Sequence, residues 1–282
     1  MSTSPCHHVR FATWGEFLYA CEYGKSVCAE RHSRDGRASW AGGSFTQALR
    51  WAKEGWREGV ERLDSQSKPI FERITGMIER YEAYYSEEGT QLDVARYLDN
   101  EPECWVRMES VISQGAGLRL IRLVYNIGVS GGVEKEVIEA RGVAVASLVE
   151  CLEYAGHRVQ VDLAMPASSV ADGAADAQIT VRLKEFDQAF DHERFAYAII
   201  HPTVLRRLIF SIMEQFSEHL LKLLTIPGSY GKPTDVSEDT ERGDIYIGQA
   251  LLGAVHWTSV QAASQWILDT LKAQGVSIQK GG

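Results

Sequence analysis

A glycine-broken loop is the first of three stretches whose residue types could do chemistry. It reads Asn126-Ile-Gly-Val-Ser-Gly-Gly132 and follows an apolar, β-rich run that ends at Asn126. In open α/β sheets, ligands bind outside the carboxyl ends of the strands. The loop is therefore a candidate binding site, and its candidate members are Asn126, Gly128, Ser130 and Gly131.

The same loop lacks the features of a phosphate site. Glu134, Glu136 and Glu139 follow it and suit the positive end of a helix, which disfavours a bound anion there. No GxxxxGK[ST] pattern is present. The glycines therefore predict a tight turn into a helix or a close backbone approach to a partner.

A second stretch is His201-Pro-Thr-Val-Leu-Arg-Arg207. A histidine beside two arginines could bind an acidic group or a phosphate, so His201, Arg206 and Arg207 are candidate binding residues. The alternative is a helix start shaped by Pro202, with the arginines paired to nearby carboxylates.

A third group combines Cys6, Cys21 and Cys28 with His32 and invites a zinc site. Zinc needs four tetrahedral nitrogen or sulfur ligands, often in close CxxC pairs, and the Cys21–Cys28 spacing is too wide for that. We expect no bound metal and free thiols, as in a reducing cytoplasm.

Catalytic signatures are absent from the sequence. No GxSxG, HExxH or GxGxxG motif occurs. The turn Glu101-Pro-Glu-Cys104 could form a small acidic site, but it is expected to be a loop that packs through Tyr97 and Trp105. Asp187, Asp191 and His192 lack a neighbouring nucleophile and are expected to be solvated surface. We therefore expect no catalytic residue and no cofactor, although an enzyme with an unrecognised site remains an alternative.

The elements that would position these residues form an α/β fold. An apolar run at 118–126, a long amphipathic stretch and a second apolar run at 157–165 predict a βαβ unit with adjacent, parallel strands. Residues 178–186 alternate cleanly and predict a half-exposed antiparallel strand near a sheet edge. The predicted fold class is an open, mostly parallel sheet flanked by helices.

The first part of the chain, residues 1–115, predicts mainly helices that pack on the α/β part at 116–282. Helices are expected after the caps Thr13 and Ser44, and over 69–85. Their apolar stripes are too small for a separate core.

Composition limits the classes of function. The net charge is −9 and the pI about 5.4, which argues against a general nucleic-acid binder but leaves a local basic patch possible. No apolar run approaches membrane length, and residues 1–10 lack an apolar signal core. A cytoplasmic location is the expectation.

The order of elements from 116 to 275 resembles a von Willebrand factor A-type domain. The family's first strand ends in Asp-x-Ser-x-Ser, which holds a divalent metal, and this chain has Asn126-Ile-Gly-Val-Ser130 at the matching place. Ser130 matches the second serine, whereas Asn126 replaces the aspartate. Because a hard cation most needs that carboxylate, the resemblance implies a degenerate site without metal.

A further resemblance rests on Trp40-x-Gly-Gly, on Glu101-Pro-Glu-Cys-Trp105 and on Arg141-Gly. These segments look like those of a group of uncharacterised phage and actinobacterial proteins. The resemblance implies a phage-related chain and carries no known activity.

These observations predict a non-enzymatic protein-interaction or assembly module, whose partner is another protein of phage or host. The aromatic-rich first part of the chain favours such an interface. The alternative is a nucleic-acid-associated protein that uses a local basic face. That face would comprise Arg119, Arg122, Arg206, Arg207 and Lys222.

Overall fold

The structure, a computed structural model, describes most of the chain. The described residues are 6–27, 32–75, 81–110, 119–130, 133–169, 176–224, 232–236, 241–250 and 259–276. Their strands are β1 (His7–Phe11), β2 (Tyr81–Ser86), β3 (Gln91–Leu92), β4 (Trp105–Ser110), β5 (Leu120–Asn126), β6 (Arg158–Ser168), β7 (Asp176–Lys184), β8 (Lys232–Pro233) and β9 (Ile245–Ile247).

The helices carry most of the remaining described chain. They are α1 (Trp14–Tyr23), α2 (His32–Asp35), α3 (Ala38–Ala41), α4 (Phe45–Glu54), α5 (Arg57–Thr75), α6 (Val94–Leu98), α7 (Lys135–Tyr154), α8 (His192–Phe195), α9 (Phe210–Met213), α10 (Glu218–Leu224) and α11 (Val260–Ala273). Two π-helical segments, Ala196–Ile200 and Val204–Ile209, join α8 to α9.

The main sheet has the strand order β1-β7-β6-β5-β9, with β8 pairing to the end of β6. Strands β5 and β6 are adjacent and parallel, as the βαβ pattern predicts, and β9 lies parallel on the other side of β5. Strand β7 runs antiparallel to β6, which confirms the predicted pairing. The fold class is therefore α/β with a mostly parallel mixed sheet.

Strand β7 lies second from the edge of the sheet, which agrees with the predicted place near an edge, and β1 pairs in parallel with it and takes the outer position. Its predicted half-exposed character is wrong, because β7 is buried on both faces and is contacted by α1. The polar sequence His-His-Val-Arg-Phe gave no signal for a strand, because a short strand at an edge needs little apolar surface.

Helix α7 packs on one face of the sheet, and α5, α11 and the first π-helical segment pack on α7. Its centre, from Val143 to Leu152, is almost entirely buried. Gly142 is expected from sequence to mark a close approach, and a Cβ there would lie 2.4 Å from the main-chain oxygen of Ile199. The close packing of α7 on the π-helical segment therefore requires glycine at this position.

The opposite sheet face is polar in its middle. Asp162 is buried at 1% exposure and accepts from Arg122 at 3.0 Å and from Arg182 of the neighbouring strand. The hydrogen bonds from the two guanidinium groups offset part of the cost of burying this carboxylate away from water.

The apolar spacing from Thr203 to Leu224 predicts one long helix, but the structure interrupts it. Its first part is π-helical, and α9 ends at Met213 before α10 begins at Glu218. Among the described residues, no single helix has the length and apolarity to cross a membrane. The pair His192–Ile200 and Val204–Met213 reaches that threshold only together, and it is bent by 71°.

The first part of the chain contains the predicted helix starts at Thr13 and Ser44, whose side chains accept from the first turns of α1 and α4. The helix predicted over 69–85 is wrong in both bounds. Helix α5 begins at Arg57 and runs through Pro69, and Tyr81–Ser86 is a strand. Strands β2, β4 and β3 form a separate antiparallel sheet, so this part of the chain is not helical throughout.

Candidate functional site

The carboxyl end of β5 is closed by the protein's own chain. The buried Asn126 side chain accepts from the Gly128 N–H at 2.8 Å. Its amide group donates to the Thr234 main-chain oxygen at 2.8 Å and to the Tyr246 hydroxyl at 3.0 Å. The amide thus serves as a junction between β5, β9 and residues 232–236.

The neighbouring loop residues make main-chain contacts. A Cβ at Gly128 would lie 2.8 Å from Oδ1 of Asn126, so the turn favours glycine. The Ser130 N–H donates to the Ala250 oxygen at 3.1 Å, and Ser130 is half-buried. Gly131 lies outside the described residues. The carboxylate of Asp235 accepts from the Tyr246 hydroxyl at 3.1 Å.

Arg141 fastens this end of the sheet to α7. The side chain is 2% exposed and donates to the main-chain oxygens of Asn126 and Gly248. Its guanidinium carbon lies 4.6 Å from the ring centroid of Tyr125. A buried arginine bonded only to carbonyls and an aromatic face acts as a structural clamp, since five fixed donors can hold two strands at once.

A narrow cleft lies on the helix-covered side of β5, opposite the Asn126 side chain. It is lined by Tyr125, Ile127 and Val129, by residues of both π-helical segments, including Arg206, and by His201 between those segments. The space open to the centre of a water-sized molecule is about 20 Å³. The structure therefore brings two predicted site regions, the end of β5 and the His201 segment, to one place.

His201 sits in the break between the π-helical segments and is 9% exposed. Its Nδ1 accepts from the Thr203 N–H at 3.2 Å and contacts the Thr203 hydroxyl at 2.8 Å. The Tyr197 hydroxyl lies 2.9 Å from that hydroxyl, and the Trp56 ring meets the imidazole edge-on at 4.5 Å. This cage fixes both the position and the tautomer of the imidazole.

Burial, together with the smaller effect of the positive charges of Lys135 and Arg62, lowers the pKa of His201 from 6.5 to about 4. The imidazole is therefore neutral near neutral pH. Since the Thr203 N–H can only donate, Nδ1 carries the lone pair and Nε2 carries the proton.

The two arginines after His201 have different surroundings. Arg207 is buried and donates to the main-chain oxygens of His32, Ser33, Gly36 and Gly43, so it holds that loop rather than a ligand. Arg206 donates to the Trp40 main-chain oxygen, and its guanidinium lies 4.8 Å from the Trp40 ring centroid. Burial lowers the pKa of Arg206.

The basic face of the nucleic-acid alternative is dispersed. Besides the buried Arg207, Arg122 binds Asp162 and Lys222 pairs with Glu218 at 2.8 Å. Arg119 donates to the Gln274 main-chain oxygen at 3.1 Å. Guanidinium groups already committed to carboxylates and carbonyls offer few donors to phosphates.

The cysteine and histidine residues of the proposed zinc cluster are not alike. Cys6 is exposed, whereas Cys21 is buried and donates to the Leu208 main-chain oxygen. Burial raises the pKa of the Cys21 thiol to about 12. Cys28 lies outside the described residues. Within the described ranges, no group of three or more His, Cys, Asp and Glu side chains has the arrangement to hold a metal ion.

A larger groove of about 500 Å³ lies at the carboxyl ends of β1 and β7. Two of its arginines are occupied by the groove's own carboxylates, because Arg182 binds Glu185 and Arg194 binds Asp191. The groove therefore presents mixed charge without a dominant sign.

The segment 81–110, which we name the acidic arm, is a surface that the sequence analysis missed. It comprises β2, β3, β4 and α6, and its described side chains contribute nothing to the main core cluster. Val94, Tyr97 and Leu98 are 60%, 58% and 71% exposed. Tyr97, expected to pack its loop, instead faces solvent. The i, i+3, i+4 spacing of these apolar residues was the available signal.

The comparisons with known proteins give a family. The chain matches, over residues 5–278, the family model described as a domain of unknown function (DUF7192), and it belongs to that family. No curated protein and no solved structure matches the chain.

Proposed function

We propose that this member of the DUF7192 family is a non-enzymatic protein-interaction module that docks a partner protein through the acidic arm. The observation that carries the proposal is the apolar face of α6, where Val94, Tyr97 and Leu98 lie side by side in solvent. Adjacent exposed apolar residues with a polar surround are typical of protein interfaces.

Side-chain contacts with Tyr85 and the Glu103 main chain hold α6, and with it the apolar face, in place. Asp93 caps α6 by accepting from the Ala95 and Arg96 N–H groups, and its second oxygen accepts from the Tyr85 hydroxyl at 3.1 Å. The Arg96 guanidinium lies 3.7 Å from the Tyr85 ring centroid and donates to the Glu103 main-chain oxygen. A surface that is already ordered loses less conformational entropy on binding.

The charge of the arm indicates the kind of partner. The arm contains eight acidic and two basic residues, a net charge of −6 of the −9 of the chain. Complementarity therefore favours a partner surface with basic residues around an apolar pocket. The proposal includes a phage or host protein as that partner and a cytoplasmic location, which the free thiols at Cys6, Cys21, Cys104 and Cys151 favour.

The likeness to a von Willebrand factor A-type domain belongs to the same proposal. It is supported by the parallel β5–β6 unit and by Asn126 at the place of the metal-binding aspartate. In such a module the end of β5, which residues 232–236 cover, would contribute to the stability of the fold. The surface that recognises the partner would lie elsewhere on the chain.

The test compares the wild-type chain with two matched double variants. Tyr97→Ser with Leu98→Ser alters the arm, and Tyr19→Ser with Tyr23→Ser removes two equally exposed aromatic residues from α1. Each protein is used to capture partners from the native host, both with and without nuclease, and the captured proteins are quantified by mass spectrometry. The captured partner is then purified and its affinity is measured by calorimetry.

We expect a partner that the α1 variant retains and the arm variant loses, with an affinity reduced by about 10- to 100-fold. That affinity should fall moderately as salt rises, because the rim of the interface is charged. Capture that is equal for the arm variant and the wild type, or capture that nuclease abolishes, overturns the proposal.

A further inference from the structure

The outer edge of β2, in the acidic arm, presents main-chain groups to which a further strand can bond. All six residues of β2 pair one-to-one with Trp105–Ser110 of β4, without a bulge. Strand β2 is outermost in the order β2-β4-β3, and within the described ranges β4 is the only strand that pairs with it. In an antiparallel ladder, alternate residues direct their N–H and C=O groups away from the paired strand. Alternate residues of β2 therefore offer a donor and an acceptor on the open side.

The open edge of β2 lacks the features that protect the other edge strands. In the main sheet, β1 carries two exposed histidines and Arg10, which pairs with Glu241. Strands β9 and β3 have only three and two residues. Strand β2 is six residues long and contains no proline, lysine or arginine. Because proteins normally protect an edge by shortness, basic residues, proline or a bulge, the edge of β2 is suited to receive a strand.

The charge around β2 determines which strand it can receive. Glu82 is the only charged residue of β2, and the exposed Glu87 and Glu88 follow it directly. Arg107 lies 3.5 Å from Glu88 and offsets one of these charges, but the arm as a whole carries −6. A second copy would bring equal negative charge to this edge, whereas a basic segment is attracted. We propose that β2 accepts, as an added strand, an extended basic segment of the partner protein, an inference that rests on the proposed docking through the arm.

The open edge and the apolar face of α6 are joined through Tyr85 of β2. The Tyr85 hydroxyl donates to Asp93, the cap of α6, at 3.1 Å, and the Arg96 guanidinium lies 3.7 Å from the centroid of its ring. One partner can therefore contact α6 and the edge of β2 together. Main-chain bonds to the edge supply affinity for almost any extended segment, and the α6 face supplies the selection among partners.

The experiment uses three synthetic peptides of about eight residues, with blocked ends. The probe alternates lysine and valine. One control replaces lysine by glutamate, and the other replaces L-valine by D-valine, which keeps charge and composition but prevents an ordinary strand. Affinity is measured by calorimetry at about pH 7 and constant ionic strength, and amide hydrogen exchange is followed residue by residue. We expect saturable binding of the probe, binding about tenfold weaker for each control, and slower exchange at alternate residues of β2.

Two neighbouring proline variants test the main-chain groups directly. Of Ala83→Pro and Tyr84→Pro, one removes an N–H that faces β4 and the other an N–H that faces the open side. The first should melt at a lower temperature, because it loses a bond of the ladder. The second should melt like the wild type and bind the lysine–valine peptide about tenfold more weakly. Tyr84→Ala keeps the N–H and controls for loss of the ring, so it should bind like the wild type.

The strand addition is overturned if the probe does not bind, if the D-valine peptide binds equally, or if β2 exchange is unchanged in the complex. It is also overturned if both proline variants bind like the wild type. Peptide failure together with a partner that the α6 double variant loses overturns only the strand addition. Probe binding together with equal capture by the α6 double variant and the wild type overturns only the docking through α6.

Discussion

Arg141 donates a hydrogen bond from Nη2 to the main-chain oxygen of Asn126 across 2.8 Å, so a helix side chain holds the end of the central strand. The same nitrogen bonds the Gly248 oxygen, just beyond the neighbouring β9. One buried side chain therefore ties α7 to two strands that are more than 100 residues apart in sequence.

The first prediction follows from this clamp. Arg141→Met keeps much of the side-chain volume but leaves two buried carbonyls without a donor and removes the contact with the Tyr125 ring. We expect the free energy of unfolding to fall by about 3 kcal/mol. Arg141→Lys, which can reach fewer acceptors, should lie between Arg141→Met and the wild type. Urea unfolding followed by fluorescence measures this order, and equal stability of all three proteins would contradict the clamp.

A second prediction concerns the end of β5, where the Asn126 side chain is hydrogen-bonded to Thr234 and Tyr246. Asn126→Asp restores the carboxylate of the von Willebrand A-type pattern, but it replaces the donor that faces the Thr234 oxygen and places negative charge near Asp235. We expect a loss of about 2–4 kcal/mol, which should increase as pH rises and the introduced carboxyl ionises.

The comparison variant for this position is Tyr246→Phe, which introduces no charge. It removes one acceptor of the Asn126 amide together with the hydrogen bonds of that hydroxyl to the Val236 N–H and to Asp235, and it should cost about 1–3 kcal/mol. Melting temperatures are measured with and without magnesium. Stabilisation of Asn126→Asp by magnesium would show that the site can still bind a cation and that residues 232–236 rearrange to admit it.

The third prediction is a pH dependence that arises at His201. Its pKa is lowered from 6.5 to about 4 in the folded protein. Between these values the unfolded chain binds more protons than the folded one, so the unfolding free energy falls as pH falls. The contribution, about 3 kcal/mol, is complete above pH 6.5 and is lost towards pH 4.

His201→Gln should flatten this part of the stability curve, because glutamine has no proton to gain. Chemical unfolding at several pH values between 4 and 7 measures both slopes. An unchanged slope in His201→Gln would assign the dependence to other groups, of which His157 is the first to examine because burial also lowers its pKa.

The α/β unit was predictable because its signals are local. The apolar run to Asn126, the amphipathic stretch and the next apolar run each carry their own periodicity, and the right-handed crossover rule supplies the pairing. Gly142 likewise indicated a close approach, although the contacting oxygen of Ile199 depends on a π-helical segment that no periodicity reveals.

The other elements depend on distant pairing. Tyr81–Ser86 contains tyrosines at spacings that suit a helix as well as a strand, and only β4 decides between them. The cleft could not be predicted as a unit, since Tyr125 and His201 are 76 residues apart. Predicting that the end of β5 and the His201 segment lie together requires knowing how the strand and the π-helical segments pack, and the sequence pattern does not give that packing.

Pairing of β1 with β7 also has a kinetic consequence. His7 pairs with Ala177, and Phe11 with Val181, so the two strands are separated by 170 residues of chain. During synthesis, β1 leaves the ribosome long before β7 exists and has no strand to pair with in the meantime. Contacts of such long sequence separation close late, because the loop entropy must be overcome first. Strand β1 therefore takes its place at the edge of the sheet only after β7 has been translated.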